Sequence, residues 1–212
     1  MILSERDWNF LKDLYFVKIL NTQRICRLYN SKKYCYSRLK LLKDNGYIKV
    51  LYKLPSKENV FTLDKKGYET IGYKSKKLNI NLEYSLAAAD FYFHEKRLDA
   101  FIKFNNKYYF RYQNRKYILK IDILMKTNTW IFVELDLGDK HFEDKIKKWE
   151  MYYKSKEYKK LFDNFPVIAI VSSDIDRTKK IIEDNKREDV LYQYLDYQKV
   201  KEWKYHYSQN SQ

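Results

Sequence analysis

Apolar residues recur at helical spacing through the first 44 residues of the chain. This spacing predicts three helices, at residues 3–20, 22–29 and 31–44. Residues 47–63 then alternate between apolar and polar positions on either side of a polar turn at 55–59, which is typical of a β-hairpin. A short turn or helix is expected at 64–72. The first third of the chain therefore reads as three helices followed by a hairpin.

The pattern changes after residue 81, where helical and strand-like segments begin to alternate. A helix is predicted first, then three strands that include a hairpin, and then helices and strands in turn. The order is α-β-β-β-α-β-α-β-α. The predicted segments are residues 82–104, 107–112, 116–126, 129–137, 139–154, 165–172, 174–185, 190–195 and 197–205.

These patterns predict an α+β / α/β protein of two domains. Residues 1–78 have the order of a winged helix-turn-helix, which is three short helices and a hairpin. Residues 79–212 contain an αβββαβ core. The boundary is placed in the lysine-rich stretch at 74–79, which has no clear period.

Positive charge is concentrated in the first predicted domain. The 212 residues have a formal net charge of +15, and residues 1–78 carry 18 Lys and Arg against seven Asp and Glu, which is +11 of that total. A basic domain favours a polyanionic partner, most often nucleic acid. The alternative is a solvated, lysine-rich surface without a specific partner.

The third predicted helix supplies the candidate DNA contacts. Cys35, Leu39 and Leu42 share one stripe and are expected to face the core, so the opposite face is free to enter a major groove. Lysines on the hairpin are positioned for the flanking phosphates, and Arg38 for a phosphate near the core edge. The candidate DNA-binding residues are Lys32, Lys33, Tyr34, Tyr36, Ser37, Arg38, Lys40, Lys49, Lys53 and Lys57. The alternative is a protein-interaction module, with the tyrosines on a dimer surface.

Three carboxylates stand out in the second predicted domain. Asp122 lies in one predicted strand, and Glu134 and Asp136 lie in the next. Glu134 and Asp136 are two positions apart, so they share one face of their strand at roughly 7 Å. Charged residues are rare inside sheets unless they have a partner. A bound cation or a basic side chain is therefore expected beside them.

The order of elements around these acids resembles the PD-(D/E)xK nuclease superfamily. There one acid on the second strand and an ExK on the third bind Mg²⁺, and the lysine assists the attacking water. The resemblance makes Asp122, Glu134 and Asp136 the candidate metal ligands and catalytic residues. Asp136 stands where the lysine is expected, so Lys140, Lys145 or Lys148 of the following helix would have to substitute, with Lys145 the candidate carried forward. The alternative is a structural network of these acids and lysines in a scaffold that does not cut.

The whole chain resembles the replication-relaxation family of plasmids and mobile elements. The matching segments are LSERDWNFLKDLYFVKILNTQRICRLY, SRLKLLKDNGYI and VFTLDKKG in the first half, and IDILM, FVELDLGD and WEMYY in the second. The resemblance implies a winged helix joined to a nuclease-like domain, and a role in plasmid replication or in control of plasmid DNA topology. The family's ExD matches Glu134 and Asp136.

Three functional hypotheses follow. The first is a double-stranded DNA-binding protein of a plasmid or phage that acts in replication initiation or DNA relaxation, together with the replication or relaxation machinery. The second is a Mg²⁺-dependent endonuclease or nickase that uses Asp122, Glu134 and Asp136. The third is a winged-helix transcriptional or copy-number regulator with an inactive C-terminal domain.

The remaining expectations concern partners and location. Duplex sites are often read by two-fold dimers, so a homodimer is expected. The absence of a signal peptide and of a long apolar run predicts a cytoplasmic protein without a membrane partner. Cys26 and Cys35 are the only cysteines, which argues against a zinc site or a disulfide framework.

Overall fold

A computed structural model describes residues 2–75, 78, 80–96, 100–139, 141–203 and 205. The fold is mixed α+β. Its residues form two compact units, Met1–Phe93 with Lys204–Gln212 (unit 1) and His94–Trp203 (unit 2). The division falls inside a helix, whereas the sequence places the domain boundary between residues 78 and 79.

The helices of unit 1 begin at residues that can cap them. Ser4 forms a capping box with Asp7, as its spacing in the sequence suggests, and Asn21 and Ser31 accept backbone N–H groups at the next two helix starts. The helices assigned to this unit are α1 (Glu5–Val17), α2 (Thr22–Arg27), α3 (Lys32–Asp44), α4 (Lys65–Thr70) and most of α5 (Leu82–Glu95).

A small antiparallel sheet completes unit 1, with β1 (Leu20–Asn21), β2 (Ile48–Lys53) and β3 (Asn59–Leu63) in the order β1-β3-β2. The predicted hairpin is therefore present, and β1 adds a short third strand. Gly67 on α4 is required by packing, since a Cβ there would lie 2.1 Å from the Tyr47 carbonyl oxygen.

A buried ion pair joins two helices of unit 1. Arg24 on α2 donates through Nε and Nη2 to Asp90 on α5, at 2.8 and 2.5 Å, and both residues are buried. A bidentate pair of this kind satisfies the charge of both side chains.

Cys26 and Cys35 are free thiols whose Sγ atoms lie 2.8 Å apart.

Unit 2 is built on a five-stranded mixed sheet in the order β4-β5-β6-β7-β8. The β4–β5 and β5–β6 pairs are antiparallel, and the β6–β7 and β7–β8 pairs are parallel. The strands are β4 (Phe101–Tyr112), β5 (Arg115–Lys126), β6 (Trp130–Asp136), β7 (Val167–Ser172) and β8 (Tyr192–Asp196). The helices are α6 (Phe142–Ser155), a short 3-10 helix (Glu157–Lys160), α7 (Ile175–Asn185) and α8 (Tyr197–Lys201).

The prediction of a helix through residue 104 is wrong at its end. Residues 101–104 belong to β4, where Phe101 pairs with Lys126 and Phe104 with Ile123. The phenylalanines match a helical spacing, but the long partner strand β5 offers backbone hydrogen bonds along this whole segment. Tertiary pairing therefore overrides the local pattern.

Aromatic side chains fill the core of unit 2. Trp149 and Tyr152 of α6 are fully buried and pack with Phe132 of the sheet and with Phe162. This packing holds α6 against β4 and β5, and it brings Lys145 of α6 beside Glu134 of β6. No helix in the described part of the chain is both long and apolar enough to cross a bilayer.

Candidate functional site

Asp122 and Glu134 lie side by side where the β5–β6 ladder ends. The last residue pair of this ladder is Ile123 with Val133, and Asp122 Oδ2 accepts a hydrogen bond from the Leu135 amide at 2.9 Å. The side chain of Asp122 thus takes a hydrogen bond that a backbone carbonyl would otherwise accept. The two acids that the sequence placed together are brought together.

Glu134 is completely enclosed. It has no exposed surface, and its Oε1 has no hydrogen-bond partner within the described part of the chain. Burial raises the pKa of Glu134 well above its usual value, and the neighbouring Asp122 carboxylate raises it further. A nearby lysine opposes this rise without cancelling it.

That lysine is Lys145, the substitute cation proposed from the sequence. Its Nζ lies 3.2 Å from Glu134 Oε2, 3.7 Å from Asp139 Oδ2 and 4.0 Å from Asp122 Oδ2. Burial opposes the charged form, but Glu134 and Asp122 outweigh it and raise the pKa of Lys145. One ammonium group therefore serves three carboxylates.

Asp136 belongs to a different network. Its carboxylate accepts Arg177 Nη1 at 3.0 Å and the Thr178 hydroxyl at 2.6 Å. It also accepts the backbone amides of Gly138 and Asp139, both at 3.1 Å. These contacts occupy the carboxylate and fasten the end of β6 to the start of α7.

The resemblance to nucleases implies Mg²⁺, and the donor set does not fit it. Among the described residues, no three acidic, histidine or cysteine side chains are grouped closely enough to hold a metal ion. Asp136 is committed to Arg177, and the Lys145 ammonium already lies among the acids that remain. The three-carboxylate site predicted from the sequence is not assembled here.

Sequence reasoning missed several members of these networks. Asp139 follows Asp136 by three residues and could have been found from that spacing. Arg177 and Thr178 lie 41 and 42 residues beyond Asp136, and no local pattern links them. Of the other two lysines considered as substitutes, Lys148 is exposed on α6, and Lys140 lies outside the described residues.

The outer face of α3 is solvent-exposed, as predicted. Cys35, Leu39 and Leu42 are buried, so the helix is oriented as its pattern indicates. The exposed candidates on this helix are Lys32, Lys33, Tyr34, Tyr36, Ser37 and Lys40.

Two of the predicted basic DNA contacts form ion pairs with carboxylates of the protein. Arg38 donates through Nε to Asp7 at 2.7 Å and through Nη2 to the Ile2 carbonyl oxygen, so its guanidinium is bound to α1 and the N-terminal segment. Lys49 Nζ lies 3.2 Å from Asp64 Oδ1. Lys53 and Lys57 are exposed at the end of the β2–β3 hairpin.

Comparison with known proteins gives little guidance. No family model matches the chain, and no curated protein matches it. A search of solved structures returns the crystal structure of protein VC1899 from Vibrio cholerae, with 13% sequence identity and a TM-score of 0.37. That match covers 96% of this chain and 56% of the other, so this chain spans about half the length of that protein.

Proposed function

We propose that this protein binds double-stranded DNA through the exposed face of α3. The observation that carries the proposal is the composition of that face. Residues 32–40 expose three lysines, two tyrosines and a serine, and this segment contains no carboxylate. Lysines of this kind contact phosphates, and the polar side chains between them can reach base edges.

The arrangement of unit 1 supports a winged helix-turn-helix as the binding module. α2 and α3 follow each other through a short turn, and the β2–β3 hairpin comes directly afterwards. In this class of module the start of the second helix of the motif enters the major groove and the hairpin approaches the flanking backbone. Lys53 and Lys57 have the position and exposure for that second role.

We propose a role for the protein in replication initiation or DNA relaxation of a plasmid or phage. This assignment depends on the resemblance to the replication-relaxation family. The alternative is a transcriptional or copy-number regulator, which would use the same face of α3. Footprinting over a whole plasmid separates the two roles. A replication or relaxation protein should protect DNA at an origin, and a regulator should protect DNA at a promoter. A homodimer fits either role.

We propose further that unit 2 does not cut DNA by a Mg²⁺ mechanism. Lys145 lies beside Glu134 and Asp122, and Arg177 and Thr178 donate hydrogen bonds to Asp136. A divalent ion would have to displace an ammonium group that is itself held by three acids. The acids therefore connect the sheet to α6 through Lys145 and to α7 through Arg177 and Thr178.

The experiment is incubation of the full-length protein with supercoiled plasmid and Mg²⁺ or Mn²⁺. The expected result is intact plasmid whose electrophoretic mobility is reduced at low salt and restored at high salt, since phosphate contacts weaken with salt. Cutting that disappears in Asp122→Asn and Glu134→Gln would establish the nuclease alternative instead. Unshifted, intact plasmid at low salt would contradict DNA binding.

A further inference from the structure

The β4–β5 hairpin of unit 2 places like charges directly opposite each other. Lys107 on β4 pairs with Lys120 on β5, and Arg111 pairs with Lys116. All four residues are exposed. Directly opposed like charges destabilise a strand pair, so this surface is unfavourable unless something negative neutralises it.

The described part of the chain does not place a carboxylate beside the lysines of these pairs. Within the described residues, no carboxylate lies at ion-pair distance from Lys107, Lys116 or Lys120. Glu157 is an acid beside this end of the hairpin, and it accepts hydrogen bonds from Lys160 Nζ and the Arg111 amide, both at 3.2 Å. Its charge is therefore already engaged.

An apolar pair lies between the two cationic pairs. Tyr109 faces Ile118 across the strands, and their side chains are 70% and 43% exposed. A groove of about 710 Å³ begins at this pair, within the usual size range for small-ligand sites. Its charged lining residues are Arg111, Lys116, Lys160 and the acid Glu157, so cations outnumber the one carboxylate.

We propose that this hairpin surface is a second nucleic-acid site, which binds single-stranded nucleic acid. Bases stack on Tyr109, and the cations of the two flanking pairs contact the phosphates on either side. An exposed aromatic ring between rows of positive charge is the usual arrangement of sequence-tolerant single-strand binding. The site uses residues of unit 2 alone and does not depend on duplex binding by α3.

Charge complementarity distinguishes this occupant from a second copy of the chain. A two-fold contact would bring the same patch against itself and would oppose Lys107, Lys120, Arg111 and Lys116 to their own counterparts. A polyanion instead neutralises the repulsion between the opposed cations. The exposed Tyr109 ring adds a surface on which the bases of a nucleic acid can stack.

The test is fluorescence anisotropy of a labelled oligothymidylate with the full-length protein across a salt series. Lys107→Gln/Lys120→Gln is expected to lower the slope of log affinity against log salt by about 1.4, because each lost single-strand phosphate contact contributes about 0.7. Tyr109→Ala is expected to weaken binding about 5- to 150-fold. The matched control is Lys148→Gln/Lys180→Gln, which removes the same charge from exposed positions on α6 and α7.

Three results would overturn the proposal. The first is an unchanged slope in Lys107→Gln/Lys120→Gln, and the second is an equal loss in the control. The third is binding of phosphatidylserine vesicles that depends on Tyr109 and the lysines while the oligonucleotide does not bind. Duplex binding by α3 is tested separately, by comparing the affinity of the wild type and of Lys33→Gln/Lys40→Gln for a labelled duplex. The two proposals therefore succeed or fail independently.

Discussion

At the scale of single residues, Glu134 is an acid held in a site that disfavours its charge. It is fully buried beside Asp122, and the Lys145 ammonium, 3.2 Å from Glu134 Oε2, only partly compensates for the burial. Removing a charged group from water costs free energy unless the group is paired and hydrogen-bonded. This environment makes the residue sensitive to pH.

Glu134→Gln is expected to become relatively more stabilising as pH rises. Because its pKa is raised in the folded state, Glu134 keeps its proton there at pH values at which the unfolded chain, with a pKa of about 4.3, has lost it. Its contribution to the free energy of unfolding therefore falls as pH increases above that value. Urea unfolding of both proteins from acid to neutral pH measures the difference.

Glu157→Gln is the control with the opposite sign. The Arg111 amide and Lys160 lower the pKa of Glu157, so its contribution is present above the unfolded pKa and is lost as pH falls. Replacement by glutamine should therefore become relatively more destabilising as pH rises through the acid range. A Glu134→Gln difference that stays flat or follows the same direction as Glu157→Gln would contradict the account of Glu134.

Lys145→Met is expected to destabilise the protein by up to about 3 kcal/mol, because it removes the cation from beside the buried Glu134 and the half-buried Asp122. Lys148→Met on the same helix changes an exposed lysine, and its free energy of unfolding should stay within about 0.5 kcal/mol of the wild-type value. Urea denaturation gives both values. Equal effects of the two substitutions would show that Lys145 does not hold the acids.

At the scale of elements, the end of β6 and the start of α7 are joined by Asp136. Thr178 of α7 is fully buried and donates to Asp136 Oδ2 at 2.6 Å, and its hydroxyl lies 2.7 Å from the Ser172 hydroxyl. Arg177 adds a charged hydrogen bond. The network fixes two elements that are far apart in sequence.

Thr178→Val tests this junction with little change in shape. It removes the hydroxyl and leaves the buried Asp136 with one donor fewer, so a loss of about 1–3 kcal/mol in the free energy of unfolding is expected. Thr129→Val, at an exposed position in the β5–β6 turn, provides the matched control. Thermal or urea unfolding compares them, and a Thr178→Val protein as stable as the control would argue against the junction.

The sequence predicts the elements well where the pattern is local. The β5 and β6 strands end close to their expected positions because alternation and a polar turn define them. Lys145 could be expected near the sheet, since Phe142, Ile146 and Trp149 place the buried stripe of α6 beside it. The partners of Asp136 could not be expected, because Arg177 and Thr178 reach it only through the folded topology.

At the scale of the whole molecule, charge is the feature on which the proposed function depends. The net charge of +15 is spread unevenly, with most of the excess in residues 1–78. In unit 2 the described acids of the candidate site are engaged with Lys145 and Arg177. A polyanion is thus the partner that the charge distribution favours, and the start of α3 is the surface on which we place the duplex.

The salt dependence of duplex binding tests most directly whether α3 binds duplex DNA. Affinity of the full-length protein for a labelled duplex is measured across a salt series, for the wild type, for Lys33→Gln/Lys40→Gln and for the control Lys12→Gln/Lys65→Gln, whose positions on α1 and α4 are exposed. The account predicts that the slope of log affinity against log salt concentration is about 1.8 smaller for Lys33→Gln/Lys40→Gln, because each lost phosphate contact contributes about 0.9. The control is expected to keep the wild-type slope. A wild-type slope in the α3 variant, or an equal reduction in the control, would contradict duplex binding by α3.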